Sequence, residues 1–235
     1  MDISIILVKP LYEGNVGSAA RAMANFGFKN LILVKPCKIG KKAGDMAVHA
    51  KGILKSAKKF KDLEAAIKGF DLIVGTTAEK SVSDDHFLRR TINPKELRKK
   101  LGGVKGKVAI VFGPEDIGLT NDELERCDIG VTIPTAQNYK SMNLSHAASI
   151  ILYELSKATS YKLPAASPRL ASKIEKDLMI KYFSEIMDKI DFPRPFDRRI
   201  VYRSMLNKLI GRSMITGREA NSLLGVLRKV KKAVK

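Results

Sequence analysis

The sequence predicts an α/β fold with a mostly parallel sheet, joined to a small all-helical region at its C-terminal end. Three observations predict it. Short apolar runs alternate with helical patterns through the first 160 residues, as strands linked by crossover helices do. One run, Val108–Phe112, is apolar at every position, which suits a parallel strand buried on both faces. Beyond Tyr161 strand signals stop and apolar residues recur only at helical spacing.

The elements follow in order. Ile3–Val8 is a β-rich apolar run that Pro10 ends. Asn15–Phe26 reads as a helix: Val16, Ala19, Ala20, Met23 and Phe26 recur at helical spacing, and Gly27 supplies the residue that closes it. Leu31–Val34 is the second strand, stopped by Pro36. Asp62–Lys68 gives a turn or two of helix before Gly69, and Leu72–Val74 is a strand running into Gly75, Thr76 and Thr77. Asn93-Pro94-Lys95-Glu96 combines an N-cap, Pro at the first helical position and Glu at the third, so a helix starts there. Val108–Phe112 leads into Gly113-Pro114, and Thr120-Asn121-Asp122-Glu123 repeats the capping pattern. Ile129–Ile133 is a further strand, followed by a polar loop and a helix from about Asn143 to Lys157.

The composition changes near Tyr161, which divides the chain into residues 1–160 and a helical extension, 161–235. Leu163-Pro164-Ala165-Ala166-Ser167-Pro168 reads as a linker, with Ser167-Pro168 placed to cap the next helix. That helix carries Leu170, Ile174, Leu178, Phe183, Ile186 and Ile190 on one face. Pro193 and Pro195 interrupt it, a second helix spans about Asp197–Gly211, and Thr216-Gly217-Arg218-Glu219 caps a third bearing Leu223, Leu224, Leu227 and Val230.

Lys and Arg number 43 against 24 Asp and Glu, a net charge of +19. An excess of that size favours a polyanionic partner, nucleic acid or an acidic membrane surface. Residues 161–235 hold +11 of it, about three times the charge density of residues 1–160, so the extension is the expected nucleic-acid grip; a merely solvated basic face is the plainer alternative. No apolar run approaches the roughly 20 residues of a membrane span. Met1-Asp2-Ile3-Ser4 lacks the basic start of a signal peptide. Cys37 and Cys127 stand alone and the three histidines form no metal-spaced cluster, so no zinc site or disulfide scaffold is expected and a reducing cytoplasm fits.

Three segments hold candidate chemistry. Gly14-Asn15-Val16-Gly17-Ser18-Ala19-Ala20-Arg21 follows the first strand and opens a helix, where glycines let a backbone approach a ligand. Its spacing departs from the dinucleotide fingerprint, and Lys35-Pro36 stands where a dehydrogenase would offer an acid, so an oxidoreductase is disfavoured. Arg21 sits among small residues, and its planar fork suits phosphate; a surface pair with a nearby acid is the alternative. Phe112-Gly113-Pro114-Glu115-Asp116-Ile117-Gly118-Leu119 leaves the carboxyl end of a buried strand, where open α/β sheets place ligands, although a tight turn needs the same residues. Ile133-Pro134-Thr135 and Ser141-Met142-Asn143-Leu144-Ser145-His146 gather small polar groups at a loop-to-helix junction, where capping by Ser141 or Asn143 is the simplest role. His146 has no acid at a telling spacing and reads as packed or partly exposed rather than catalytic.

Taken in order, these segments resemble the motifs of the SpoU/TrmH branch of the SPOUT methyltransferases. Motif one resembles Asn15–Met23, motif two Val111–Leu119, and motif three Ile133-Pro134 followed by Ser141–Ser145, and the likeness spans residues 3 to about 158. Gly14-Asn15-Val16-Gly17, the continuation Met23-Ala24-Asn25-Phe26-Gly27 and the helical extension bring it nearest the TrmJ-like enzymes. The resemblance implies a trefoil-knotted SPOUT domain, a homodimer and S-adenosyl-L-methionine (SAM) as cofactor. It implies that Thr76, Thr77, Ala78, Gly113, Ile133, Ser141, Met142, Asn143 and Leu144 bind the cofactor, and that Arg21, Asn15, Ser141 and Asn143 serve catalysis. It implies 2′-O-methylation of a tRNA ribose, at nucleotide 32 of the anticodon loop. After Ala78 the chain departs from the TrmJ-like pattern with Glu79-Lys80, leaving Lys80, Arg89 and Arg90 as candidate RNA contacts. A ribosomal-RNA methyltransferase and a non-catalytic RNA-binding assembly factor are the alternatives.

Overall fold

A computed structural model of the chain describes residues 2–78, 91–103, 105–136, 138–159, 168–193 and 198–234. Lys80, Arg89, Arg90 and the linker stretch through Ser167 lie outside the described residues. The order is β1 (Asp2–Val8), α1 (Glu13–Asn25), β2 (Asn30–Val34), α2 (Lys41–Ala47), a 3-10 turn (Val48–Ala50), α3 (Lys51–Ser56), β3 (Lys58–Phe60) and α4 (Leu63–Ile67). Then come β4 (Leu72–Thr76), β5 (Thr91–Ile92), α5 (Pro94–Leu101), β6 (Lys107–Phe112), α6 (Asn121–Glu125), β7 (Ile129–Val131) and α7 (Leu144–Thr159). Helices α8 (Lys173–Lys189), α9 (Arg198–Ser213) and α10 (Gly217–Ala233) complete the chain.

The seven strands form one sheet in the order β3-β2-β1-β6-β4-β7-β5, every pairing parallel. Alternation along β1 sends side chains to both faces. Ile3, Ile5 and Leu7 join a core with α1, α3, α5 and α7, while Ile6 and Val8 join a second core with α4 and α6. Both faces are therefore covered, as the apolar runs require.

Caps read from sequence form as written. Asn93–Glu96, Thr120–Glu123 and Thr216–Glu219 each make a reciprocal capping box, and Gly27 closes α1 at a φ of 80°. Two expectations need correction. The first helix of the extension is capped by Ser172, paired with Glu175, so it starts later than a Ser167 cap implies. Its buried side follows the expected stripe only in part: Ile186 is buried and Leu178 packs on the core, but Ile174 is 79% exposed and Ile190 50%, while Lys176, Met179, Ile180 and Met187 face inward. Leu170 is buried ahead of the helix, bridged to Thr216. Likewise Leu223 and Val230 of α10 are exposed, and Leu224 carries the burial.

The reason is Lys176. Its ammonium donates to the Asp71 carbonyl at 2.6 Å and lies 3.3 Å from Asp128, which is itself 8% exposed. A buried cation held this way sets the rotation of α8, because turning the helix would strand the charge. Lys208 does the same for α9, donating to the carbonyls of Leu124 and Cys127 at 2.6 Å each. Desolvation lowers its pKa. Helices α8–α10 share a small core of Ala171, Met179, Ile180, Ile210, Ala220 and Leu224, and these two lysines fasten it to the α/β layer.

Candidate active site

A cleft of about 560 Å³ opens at the carboxyl ends of β4, β6 and β7. Its wall is built by the segment after each strand. Thr76, Thr77 and Ala78 leave β4, Gly113 to Thr120 leave β6, and Ile133, Thr135, Lys140, Ser141, Met142 and Leu144 come from the stretch between β7 and α7. The resemblance assigned nine residues to the cofactor; eight of them line this cleft, and Asn143 does not.

Each wall has a local cause. The loop after β6 doubles back tightly enough that a Cβ on Gly113 would lie 2.2 Å from the Gly118 carbonyl carbon and the Leu119 nitrogen. Gly118 takes a left-handed φ of 67° and donates to the Pro114 carbonyl at 2.9 Å, closing the turn. Thr77 donates its backbone N–H to Val131 at 3.0 Å, which ties the first wall to the third.

Beside the cleft the three motifs are joined through side chains. Glu115 accepts from the Leu11 N–H at 2.9 Å and from the Asn15 amide at 2.7 Å. Asn15 in turn accepts from the Asn143 amide at 3.1 Å, and the Asn143 oxygen accepts from the Ser145 N–H at 2.9 Å and its hydroxyl at 2.7 Å. Both ends fix the polarity. A carboxylate can only accept, and the oxygen that caps α7 must face the helix, so both amides between them have a single self-consistent orientation. Asn143 is thus a helix cap and a member of this relay at once.

Other motif residues stand elsewhere. Gly14 and Gly17 do not line the cleft; Gly17 lets α1 meet α2, since a Cβ on it would sit 2.2 Å from the Ala43 carbonyl oxygen. For Gly17 the expectation of an approach to a ligand is corrected to close helix packing. Glu13 supports that contact by accepting from the N–H groups of Gly40 at 2.6 Å and Ala43 at 3.2 Å, at the start of α2. Arg21 is exposed, outside the residues lining the cleft, and pairs with no acid among the described residues. Ser141 is exposed on the cleft rim, and His146 is exposed on α7. Burial and the nearby Glu115 and Glu13 push the Cys37 thiol up, and burial pushes Cys127 to about 12, so both are poor nucleophiles.

Glu115 is the residue sequence reasoning left without a role. It stands inside the second motif, but its partner Asn15 is 100 positions away, beyond the reach of any spacing pattern. The available signal was chemical: an acid and two amides, each within a different motif.

Comparison with known proteins agrees with this architecture. The SpoU rRNA Methylase family matches residues 2–153. The tRNA (cytidine-2′-O-)-methyltransferase TrmJ of Methanocaldococcus jannaschii is 42% identical over 228 residues, covering 96% of this chain and 98% of its own. The crystal structure of TrmJ from Z. mobilis ZM4 superposes with a TM-score of 0.77 at 28% identity, covering 98% of this chain and 100% of that one. The fold alone is shared with the SpoU methyltransferase AviRb from Streptomyces viridochromogenes in complex with AdoMet, at a TM-score of 0.52 and 21% identity over 68% of this chain and 58% of that one. With its parallel sheet, its three joined motifs and relatives matched from end to end, the chain belongs to the SpoU methylase family.

Proposed function

We propose that the protein transfers a methyl group from SAM to a ribose 2′-oxygen of tRNA, at nucleotide 32 of the anticodon loop. The observation that carries this reading is the cleft at the strand ends, fastened to motifs one and three by the Glu115–Asn15–Asn143 relay. Its volume falls within the roughly 300–1,000 Å³ typical of small-molecule sites. The residues present fit SAM. Thr76, Thr77, Ala78, Gly113, Ile133, Ser141, Met142 and Leu144 would hold it, and the carboxylates of Glu115 and Asp116 on the same wall suit a cation. When bound, the cofactor supplies a methyl group already activated on a positively charged sulfur.

What remains for the chain is positioning. The substrate hydroxyl must be held in line and lose its proton late. Asn15, Ser141 and Asn143 orient it, with the relay limiting their freedom. A guanidinium is no general base, so Arg21 acts as a clamp on the adjacent phosphate, and the proton leaves to phosphate or water. Because Arg21 lies outside the cleft of its own chain, a homodimer can bring it to a partner's cleft; exposed Leu11, Tyr12, Ile150 and Tyr153 offer apolar surface for that contact. Residues 161–235 act as a tRNA-binding extension, with Arg218, Arg228, Lys229 and Lys232 exposed along α10. No helix of the described residues is long and apolar enough to cross a membrane, and they hold no cluster of metal-ligating side chains. We place the enzyme in the cytoplasm, with its tRNA.

The name of the matching family favours a second substrate, ribosomal RNA. One experiment decides. Purified protein is given SAM with a tritiated methyl group and bulk tRNA or rRNA, and the labelled nucleotide is mapped. Label at tRNA nucleotide 32 is expected. Label confined to rRNA overturns the substrate, and SAM binding without transfer to either overturns the enzyme reading in favour of an assembly factor.

A further inference from the structure

Residues 1–160 carry a net +8, and residues 35–61 alone hold nine lysines against one acid, Asp45, which is also +8. The remainder of the α/β domain is therefore balanced, and its excess charge occupies 27 consecutive residues. All nine lysines are exposed. None makes a side-chain ion pair or hydrogen bond with any described residue. The extension differs: Arg169, Lys173, Lys176, Arg199 and Lys231 are each paired with an acid, and Lys208 is buried on two carbonyls.

Local structure does not call for these charges. Lys41 and Lys42 open α2, and Lys51 opens α3, where the helix dipole disfavours cations. Lys35 holds a positive φ of 44°, better suited to Gly or Asn. Lys58 and Lys59 do have a structural use, because charge on the edge strand β3 discourages pairing with another chain. That accounts for two of the nine.

Their placement is informative. The Lys42 side chain lies beside Gly14, with its Cε 3.4 Å from where a Cβ would stand, next to the relay residue Asn15. Cys37 donates its N–H to Pro10 at 3.2 Å, and Gly40 donates to Glu13, so the basic loop is fastened to the start of α1. From there the lysines wrap the β3 edge of the sheet, two strand spacings or about 10 Å from β1. A row of unpaired ammonium groups leading away from a site suits a phosphodiester backbone.

We propose that residues 35–61 form a phosphate-binding ridge that holds the body of the substrate RNA while one nucleotide enters the cleft. The proposal rests on the RNA reading above and adds a second grip, separate from the extension.

The test compares two triple variants of the full chain with equal loss of charge: Lys38→Gln, Lys55→Gln and Lys59→Gln on the ridge, and Lys29→Gln, Lys68→Gln and Lys107→Gln, exposed lysines outside residues 35–61 that precede or begin β2, β4 and β6. Affinity for bulk tRNA is measured against salt, with SAM calorimetry and thermal melting confirming that both are folded. Each phosphate contact contributes about 0.7–0.9 to the slope of log affinity against log salt. The ridge variant is expected to lose about 2 from that slope and at least tenfold in affinity at low salt, while the control stays within twofold of the parent. Equal behaviour of the two variants overturns the ridge alone. A parent that binds no RNA overturns both the ridge and the RNA reading. Vesicles containing phosphatidylserine form a further arm: ridge-dependent vesicle binding with unchanged tRNA binding overturns RNA as the occupant.

Discussion

At the scale of single residues, the site depends on direction more than on composition. Glu115 accepts from Asn15, which accepts from Asn143, whose oxygen caps α7. Glu115→Gln leaves one acceptor oxygen for two donors. Hydrogen bonds to charged groups contribute about 1.5–3 kcal/mol, so methyl transfer should fall by about tenfold or more. Asn15→Asp alone sets two carboxylates face to face. The double variant Asn15→Asp with Glu115→Gln restores a donor opposite each acceptor and should recover part of the lost turnover; a double variant no better than the worse single would show that the relay is not what these residues contribute. The sequence displayed every member of this chain inside a motif. It could not display the joins, because hydrogen bonds across 100 and 128 positions leave no periodicity.

At the scale of elements, caps and apolar runs were legible and short polar elements were not. Asn93, Thr120 and Thr216 announce their helices because a cap is a local bargain between neighbours. The strand β3 reads Lys-Lys-Phe and is held by its pairing with β2, a tertiary fact with no local pattern. Helices α2 and α3 are similarly short and take shape against α1. The face of α8 was misplaced because an apolar stripe was assumed to choose the buried side, whereas Lys176 does. For α9 the equivalent anchor is Lys208. Lys208→Ala should take the ammonium from the Leu124 and Cys127 carbonyls, leaving Leu124 only the Cys127 N–H, and cost about 3 kcal/mol, read as a lower denaturant midpoint.

At the scale of the whole molecule, the extension and the α/β layer behave as one unit in the energetics. Removing residues 161–235 would strip from Asp128 both its Lys176 cation and the Gly211 backbone packed on it, so surface substitutions, not truncation, separate binding from folding. Acid stability should report the same joint. The Arg169 guanidinium holds Glu175 down to about 2 from an ordinary 4.5, helped by the Ser172 N–H and hydroxyl. A lowered carboxylate stabilises the folded state fully above pH 4.5, and that contribution is lost as pH falls toward 2. Glu175→Gln should therefore lower the melting temperature at pH 7 and flatten its decline between those limits, as thermal melts across pH will show. The net charge was legible in the sequence, but its division was not: counting assigned the surplus to the extension, and only the pairing of each cation shows how much of it stays free. The sheet order has a kinetic meaning as well. Strand β1 joins β6 across more than a hundred residues, Asp2 meeting Lys107, and non-local parallel pairings form slowly. The relay crosses the same gap, so during refolding helices gather before the chain owns a binding site, and cofactor affinity arrives last as the signature that the central strands have found each other.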